Sequence, residues 1–238
     1  SASTTLGGVL SNGGLTKTGP GILLLNGVNT YVGTTTVSNG TLAGSGTIAG
    51  PVVVEAPGIL APGTTGIGTL TVTGDLTLNG DTAVDINAST TDKDLVTGIG
   101  TANYGGTLTI NNLAGTLAAG QSYTLFSATT HNGSFASFSP ATPGAGLAWS
   151  FANGVLSVVS AATPTFAPPT VSGGNLILTG TGFTPSGTYS WLTSTDVAAP
   201  VSAWTTNTTG TFSGSGSFSN AININTGEGQ RYFMLKTP

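Results

Sequence analysis

From Leu15 to Ile110 the chain alternates apolar and polar positions in short runs, each broken at Gly, Asn-Gly or Pro. GILLLNG, TTTVSNG, TLAGSG, PVVVEAPG, TLTVTG, DLTLNG and DTAVDIN follow one another with no helix-like spacing. A period of two bounded by turn residues is the signature of half-buried strands, with Gly supplying positive φ at corners without steric cost. Each run is too short to be a stable strand alone. Leu70 and Leu76, then Val72 and Leu78, are six residues apart. Equal offsets place like residues at equivalent points on successive sides or turns of a coil. The pattern therefore predicts a parallel β-solenoid over residues 15–160, about four or five turns deep with repeats of roughly twenty-odd residues. A hairpin sandwich is the competing reading. Ala161-Ala162-Thr163-Pro164-Thr165-Phe166-Ala167-Pro168-Pro169 breaks the pattern and reads as a Pro-rich linker, residues 161–169. Beyond it, NLILTGTGF, TYSWLTSTD, SAWTTNTTGTFSG, GSFSNAININT and QRYFMLKTP read as antiparallel strands of a small Ig-like or fibronectin-like β-sandwich, residues 170–238. Residues 1–14 form a separate N-terminal strand segment. The expected fold class is all-β.

Composition changes this picture in one direction. Charged residues are 5 % of the 238, while hydrophobic residues are 38 %, so the chain has a core but lacks the roughly 25 % charge of ordinary soluble domains. Its surface must be built from hydroxyls, amides and backbone, and such a surface resists self-association weakly. The net charge is −4, and the basic residues are only Lys17, Lys93, Arg231 and Lys236. That set makes no phosphate-tracking patch, so nucleic acid is not an expected partner. Cysteine is absent. No apolar run reaches the ~18 residues of a membrane helix. Ser1-Ala2-Ser3-Thr4 fits a mature start left by signal removal and equally a cut from a longer repeat protein.

The stretch LTKTGPGILLLNGVNTYVGTTTVSNGTL carries Leu15, Lys17, Thr18, Gly19, Gly21, Leu23, Leu25, Asn29, Tyr31, Gly33, Thr34, Thr36, Val37, Gly40 and Leu42. On these residues it resembles the autotransporter-associated β-strand repeat, with Pro20 as the one notable departure. GILAPGTTGIGTLTVTGDLTLNGDTAVDI resembles the end of autotransporter passenger domains. So do TDKDLVTGIGTANYGGTLTI, GQSYTLFSATTHNGSFASF and GLAWSFANGVLSVV. The likeness spans residues 14–159 and implies a right-handed parallel β-helix of a bacterial protein, secreted or on the cell surface. Such passengers normally continue into a membrane β-barrel; residues 161–238 do not read as one, so anchoring by that route is not expected. The C-terminal part resembles, more loosely, a module appended to secreted proteins of this family, through Trp191, Trp204, Tyr232, Phe233 and Leu235.

Candidate chemistry is sparse. His131, the only histidine, falls in ATTHNGSF and reads as a solvated loop residue rather than a triad base. Asp75, Asp81, Asp85, Asp92 and Asp94 are the only candidate metal ligands, with calcium the candidate ion, because a β-helix can stack carboxylates in a column. Their spacing matches no calcium loop, and Asp75 and Asp81 occupy turn positions. The family pattern has an acidic residue near Asp94, ahead of Leu95-Val96. For glycoside hydrolysis the same carboxylates would serve, yet no sequence feature places one in an apolar pocket. A polysaccharide lyase would need a cluster of bases, and the four cations are scattered. Tyr31, Tyr104, Tyr123, Phe126, Phe135, Phe138, Trp149 and Phe151 are expected to plug the solenoid and cap its C-terminal end.

These observations lead to the expectation of a non-enzymatic extracellular structural protein without cofactor. An uncapped solenoid end exposes backbone and apolar side chains. SASTTLGGVLSNGG has no polar cap, so Leu6, Val9, Leu10 and Leu15 are the candidate joint residues for contact with copies of the same chain. Head-to-tail strand addition would give a surface filament, and deleting residues 1–14 is expected to abolish assembly while sparing the fold. A monomeric adhesin or carbohydrate-binding module with surface glycans as partners is the first alternative. A polysaccharide lyase is the second.

Overall fold

The computed structural model describes residues 2–237 apart from 64, 184–186, 214, 215, 225, 226 and 228. It divides into two compact units, Ser1–Ala161 and Ala162–Pro238.

The first unit is a parallel β-solenoid with three flanks. Seven strands stack on the first: Ser3–Leu6, Ile22–Leu25, Thr41–Gly44, Ile59–Pro62, Asp81–Ile86, Thr107–Asn112 and Ser137–Ser139. Every neighbouring pair is parallel. The second flank stacks Leu15–Lys17, Thr35–Val37, Val52–Val54, Leu76–Leu78 and the end of Leu95–Tyr104. The third stacks Val28–Asn29, Thr47–Ile48, Thr69–Val72 and the start of Leu95–Tyr104. That last strand runs through both flanks, with a register shift between Val96 and Ile99 where Phe126–Gly133 pairs with it.

Strand pairing, rather than hairpins, follows from the corners. Ser3 pairs with Ile22, Ile22 with Thr41 and Thr41 with Ile59. Ile59 then pairs with Asp81, Asp81 with Thr107 and Thr107 with Ser137, so the later rungs are longer. Alternation turns one side of each strand inward. Leu42, Leu60 and Leu108 from the first flank are fully buried, as are Val37, Val54, Leu76 and Leu78 from the second and Ile48, Leu70 and Val72 from the third. Each buried aliphatic stabilises the coil by about 1.5–3 kcal/mol relative to exposure. Leu70 pairs with Val96 and Leu76 with Ala102, which puts the two leucines on successive flanks as their six-residue offset predicts.

One expectation is corrected. The solenoid is seven strands deep on its first flank, not four or five turns, because the N-terminal rungs are short and both ends contribute further strands. Residues 1–14 supply a strand of the solenoid: Ser3–Leu6 pairs with Ile22–Leu25, and Leu10 O accepts from Thr30 N. The C-terminal end is closed by an antiparallel sheet of Ser122–Thr124, Val155–Ser160 and Leu147–Ala152. Tyr123, Leu156, Val158 and Trp149 of this sheet are buried in the solenoid core.

The second unit holds two antiparallel sheets. One joins Asn175–Thr181 to Thr165–Phe166, Thr170–Ser172 and Phe218–Asn223; the other places Thr188–Ser194 between Thr205–Thr211 and Tyr232–Lys236. Both sheets contribute to a core of Phe183, Tyr189, Trp191, Phe212 and Phe218. Thr165 and Phe166 fall inside the stretch read as a linker and pair with Thr181 and Gly180.

Candidate interaction surface at the N-terminal end of the solenoid

The residues singled out in 15–42 are devices for stacking one rung on the next. Lys17 is buried, 7 % exposed, because its ammonium donates to Thr18 O (3.0 Å), Gly19 O (2.7 Å) and Asn39 O (3.0 Å). Those carbonyls come from corners of two successive rungs, so one cation ties both. Asn29, also buried, accepts from Leu10 N (3.0 Å) and donates to Gly27 O (3.2 Å) and Thr47 O (3.0 Å), bridging three rungs. Tyr31 Oη and Thr35 Oγ1 share a 2.6 Å hydrogen bond in the core, and burial raises the Tyr31 pKa. A Cβ at Gly33 would collide with the carbonyl of Gly13 and lie 3.0 Å from Gly14 N. Gly40 combines φ +70° with a Cβ site 2.5 Å from both Gly21 O and the Lys17 ammonium.

Residues 15–43 match the family model described as passenger-associated-transport-repeat. This stretch is such a repeat. Among curated proteins, none matches the chain. The repeat thus supplies a buried cation, a buried amide and Gly-lined corners, all engaged in holding rungs together.

Below the repeat lies the N-terminal edge. Leu6, Leu10 and Leu15 are half-buried and pack on the core from that side, while Val9 is 63 % exposed. Val28 and Val32 are exposed nearby in sequence. Through residue 54 the sequence has one charged side chain, Lys17, and its ammonium is already engaged. Natural sheet edges are protected by charges, prolines or bulges; the Ser3–Leu6 and Leu15–Lys17 strands, outermost in their sheets, carry no exposed charge and no proline.

The carboxylates do not converge. Asp75 accepts from Thr101 N, Asp81 from Thr109 Oγ1, Asp85 from Asn111 Nδ2 and Asp92 from Thr90 Oγ1. No group of three His, Cys, Asp or Glu suited to a metal occurs among the described residues. Asp94 departs from the sequence reading. It is 2 % exposed, and burial pushes its carboxyl up to about 6 despite hydrogen bonds from Gly68 N (2.7 Å) and Asp85 N (2.8 Å). Leu95-Val96 places it at the start of a core strand, where the chain leaves water, a context that its neighbours in sequence alone do not reveal. Its role here is to hold Gly68 against the Asp81–Ile86 strand.

The folded-state pKa of Asp94 lies above the usual carboxylate value, so protonation stabilises the fold. Stability from this group is fully present below about pH 4 and is lost as pH rises through 6, at most about 3 kcal/mol. Asp94→Asn is expected to remove this pH-dependent increment. It also leaves one of the two backbone N–H groups facing an amide N–H, costing about 1–3 kcal/mol. Urea unfolding of both proteins at pH 4 and pH 7.5 reads both effects; equal pH slopes would contradict them.

His131 is not a solvated loop residue. It sits in the Phe126–Gly133 strand, half-buried and stacked on Tyr104, with Nδ1 2.7 Å from Tyr104 Oη. Burial raises the Tyr104 pKa, so the phenol keeps its proton beside Nδ1. Phe126, Phe135 and Phe151 surround Tyr104 edge-on or tilted, as the expected aromatic plug. In the second unit, Phe166, Leu178, Trp191, Phe233 and Leu235 line an open groove of about 610 Å³. Phe166 is 55 % exposed there, while Trp191 is 3 % exposed. No helix among the described residues is long and apolar enough to cross a membrane.

Proposed function

We propose that this chain is a non-enzymatic, extracellular structural protein of the passenger type, and that it self-associates by backbone strand addition at the N-terminal end of its solenoid. The observation carrying this reading is that Ser3–Leu6 and Leu15–Lys17, the outer strands at the N-terminal end of the solenoid, carry no exposed charge and no proline, while the polar residues of the repeat are spent on rung stacking. Main-chain hydrogen bonds supply the affinity in such contacts. Secretion to the surface is supported by the passenger repeat. Right-handed coiling of the solenoid and an Ig-like plan for residues 162–238 belong to the same proposal. So does the absence of catalysis, supported by carboxylates and a lysine that are individually engaged in structure.

Head-to-tail growth needs a second contact besides the N-terminal edge, since the solenoid core is sealed at its other end. Thr205–Thr211 and Tyr232–Lys236 are the outer strands of their sheet and offer it. Deleting residues 1–14 is a poor test, because those residues form a rung whose loss would uncover Leu25. Charge is the better tool. Thr4→Lys with Thr16→Lys places lysines on two exposed edge positions and is expected to reduce assembly seen by electron microscopy and light scattering, with the urea midpoint unchanged. Assemblies of undiminished length in that variant would refute edge addition.

A second reading, a carbohydrate-binding module, is favoured by the apolar groove beside exposed Phe166. Retention on polysaccharide columns that Phe166→Ala abolishes would support it over self-association.

A further inference from the structure

Asn-Gly pairs stand at Asn12, Asn26, Asn39, Asn79, Asn132 and Asn153. In each, the following amide nitrogen carries no Cβ beside it to hinder attack on the asparagine carboxamide. The fold separates Asn39 from the rest. Its Oδ1 accepts from Gly40 N at 2.7 Å, so the carboxamide lies against that nitrogen with Cγ one bond behind the accepting oxygen. No other Asn-Gly pair among the described residues has this contact. Asn26 Oδ1 accepts instead from Ser45 N (3.1 Å), and Asn132 Nδ2 donates to Asn103 Oδ1 (3.1 Å), which turns both carboxamides toward neighbouring rungs. The peptide joining Asn39 to Gly40 also touches a cation. Lys17, buried and held by Thr18 O and Gly19 O, donates to Asn39 O at 3.0 Å. Amide resonance puts the charge of a deprotonated Gly40 nitrogen partly on that same oxygen. A cation already fixed where charge develops stabilises it without reorganisation.

We propose that Asn39 is a self-modification site, at which Lys17 promotes cyclisation of the asparagine onto Gly40 N and its conversion to isoaspartate. Hydroxide takes the Gly40 amide proton. The nitrogen's electron pair attacks Asn39 Cγ, the new C–N bond forms, and the Cγ–Nδ2 bond breaks. Water protonates the departing nitrogen, ammonia leaves and hydroxide is regenerated. Asn39 is exposed while Gly40 is buried, so ammonia has a way out and water a way in, and the nucleophile stays fixed. Water then opens the succinimide. The Lys17 ammonium polarises the ring carbonyl derived from Asn39 C and O, so water adds at that carbon and its bond to Gly40 N breaks. The product's α-carboxylate keeps the oxygen that Lys17 already holds, and a hydrogen bond to a neutral carbonyl becomes an ion pair. Lys17 is the only charged side chain through residue 54, and the modified corner gives it a counter-ion.

The test incubates the full chain in mildly alkaline buffer, folded and, in parallel, unfolded in guanidinium. Each Asn-Gly peptide is then followed by mass spectrometry, with electron-transfer fragmentation to tell isoaspartate from aspartate. In the folded chain Asn39 is expected to convert at least about tenfold faster than every other Asn-Gly site, with isoaspartate predominating. In guanidinium the sites should react alike. Lys17→Met is expected to slow conversion at Asn39 by at least about tenfold in the folded protein, since it removes the donor at the developing charge, and to leave the guanidinium rate unchanged. A merely structural lysine would give the opposite result, because loosening the corner frees the other sites as well. Circular dichroism establishes whether that variant is folded; if it is not, the ranking of sites in the wild-type chain decides alone. Asn39 converting no faster than its fellow sites in the folded chain would overturn the proposal. An unchanged Asn39 rate in folded Lys17→Met would overturn the role of the lysine.

Discussion

Gly40→Ala is expected to destabilise the solenoid by about 4 kcal/mol. A non-Gly residue at φ +70° costs about 1–2 kcal/mol by itself. The added methyl then meets the carbonyls of Gly19 and Gly21 and the Lys17 ammonium, and overpacking against rigid backbone adds about 1–3 kcal/mol. The side chain of Lys17 can yield, but the two carbonyls belong to the rung below and cannot move without opening the first flank, where Thr41 N bonds Gly21 O at 3.1 Å. Against a total stability of about 5–15 kcal/mol, the variant should lose a large share of its urea resistance. A loss under about 1 kcal/mol would mean that the corners do not approach as closely as the structure shows.

Lys17→Met is expected to cost about 3 kcal/mol. Methionine replaces the length of the side chain but offers no donor, leaving three corner carbonyls without their charged partner. Hydrogen bonds to a charged group contribute about 1.5–3 kcal/mol each; water entering at the corner recovers part of that sum. Because Gly40 and Lys17 share one contact, Gly40→Ala should cost less in the Lys17→Met background than alone, which a double-mutant cycle of urea midpoints measures. Strict additivity would show that the lysine does not couple the two corners.

Both residues were legible in the sequence as parts of a repeat, but their work was not. Lys17 reads as one of four scattered cations, and only the stacking of residues 18–19 beneath Asn39 turns it into a buried tie. Asn29 reads only as a position of the repeat, although its amide spans three rungs. The tying role of Lys17 and Asn29 shows only across rungs, since Asn39, Thr47 and Leu10 each lie about one turn away in sequence. Local pattern reports which side of a strand is apolar; it does not report what arrives above or below.

Asp94 and His131 show the same limit from the other direction. TTDKDLV and ATTHNGSF are polar strings, and polarity alone places both residues in water. Asp94 is buried between Gly68 and Asp85, whose N–H groups bond its carboxylate, and His131 is half-buried because Tyr104 from the preceding rung stacks on its ring. The carboxylates at 75, 81 and 85 were visible as a series, yet each finds its partner on the following rung, Thr101, Thr109 and Asn111, and the series does not become a cage.

The sequence by itself determined the strand-and-corner plan of residues 15–110, the inward positions of Leu70, Val72, Leu76 and Leu78, and the aromatic plug at the C-terminal end. Period-two alternation and Gly corners are local properties, fixed by side-chain direction and backbone sterics. The tertiary structure decided the rest: the depth of the stack, the inclusion of residues 1–14 as a rung, and the antiparallel sheet that closes the C-terminal end of the solenoid. Those depend on which rung lies against which, and that is settled by long-range backbone hydrogen bonds that leave no mark on any single stretch of sequence.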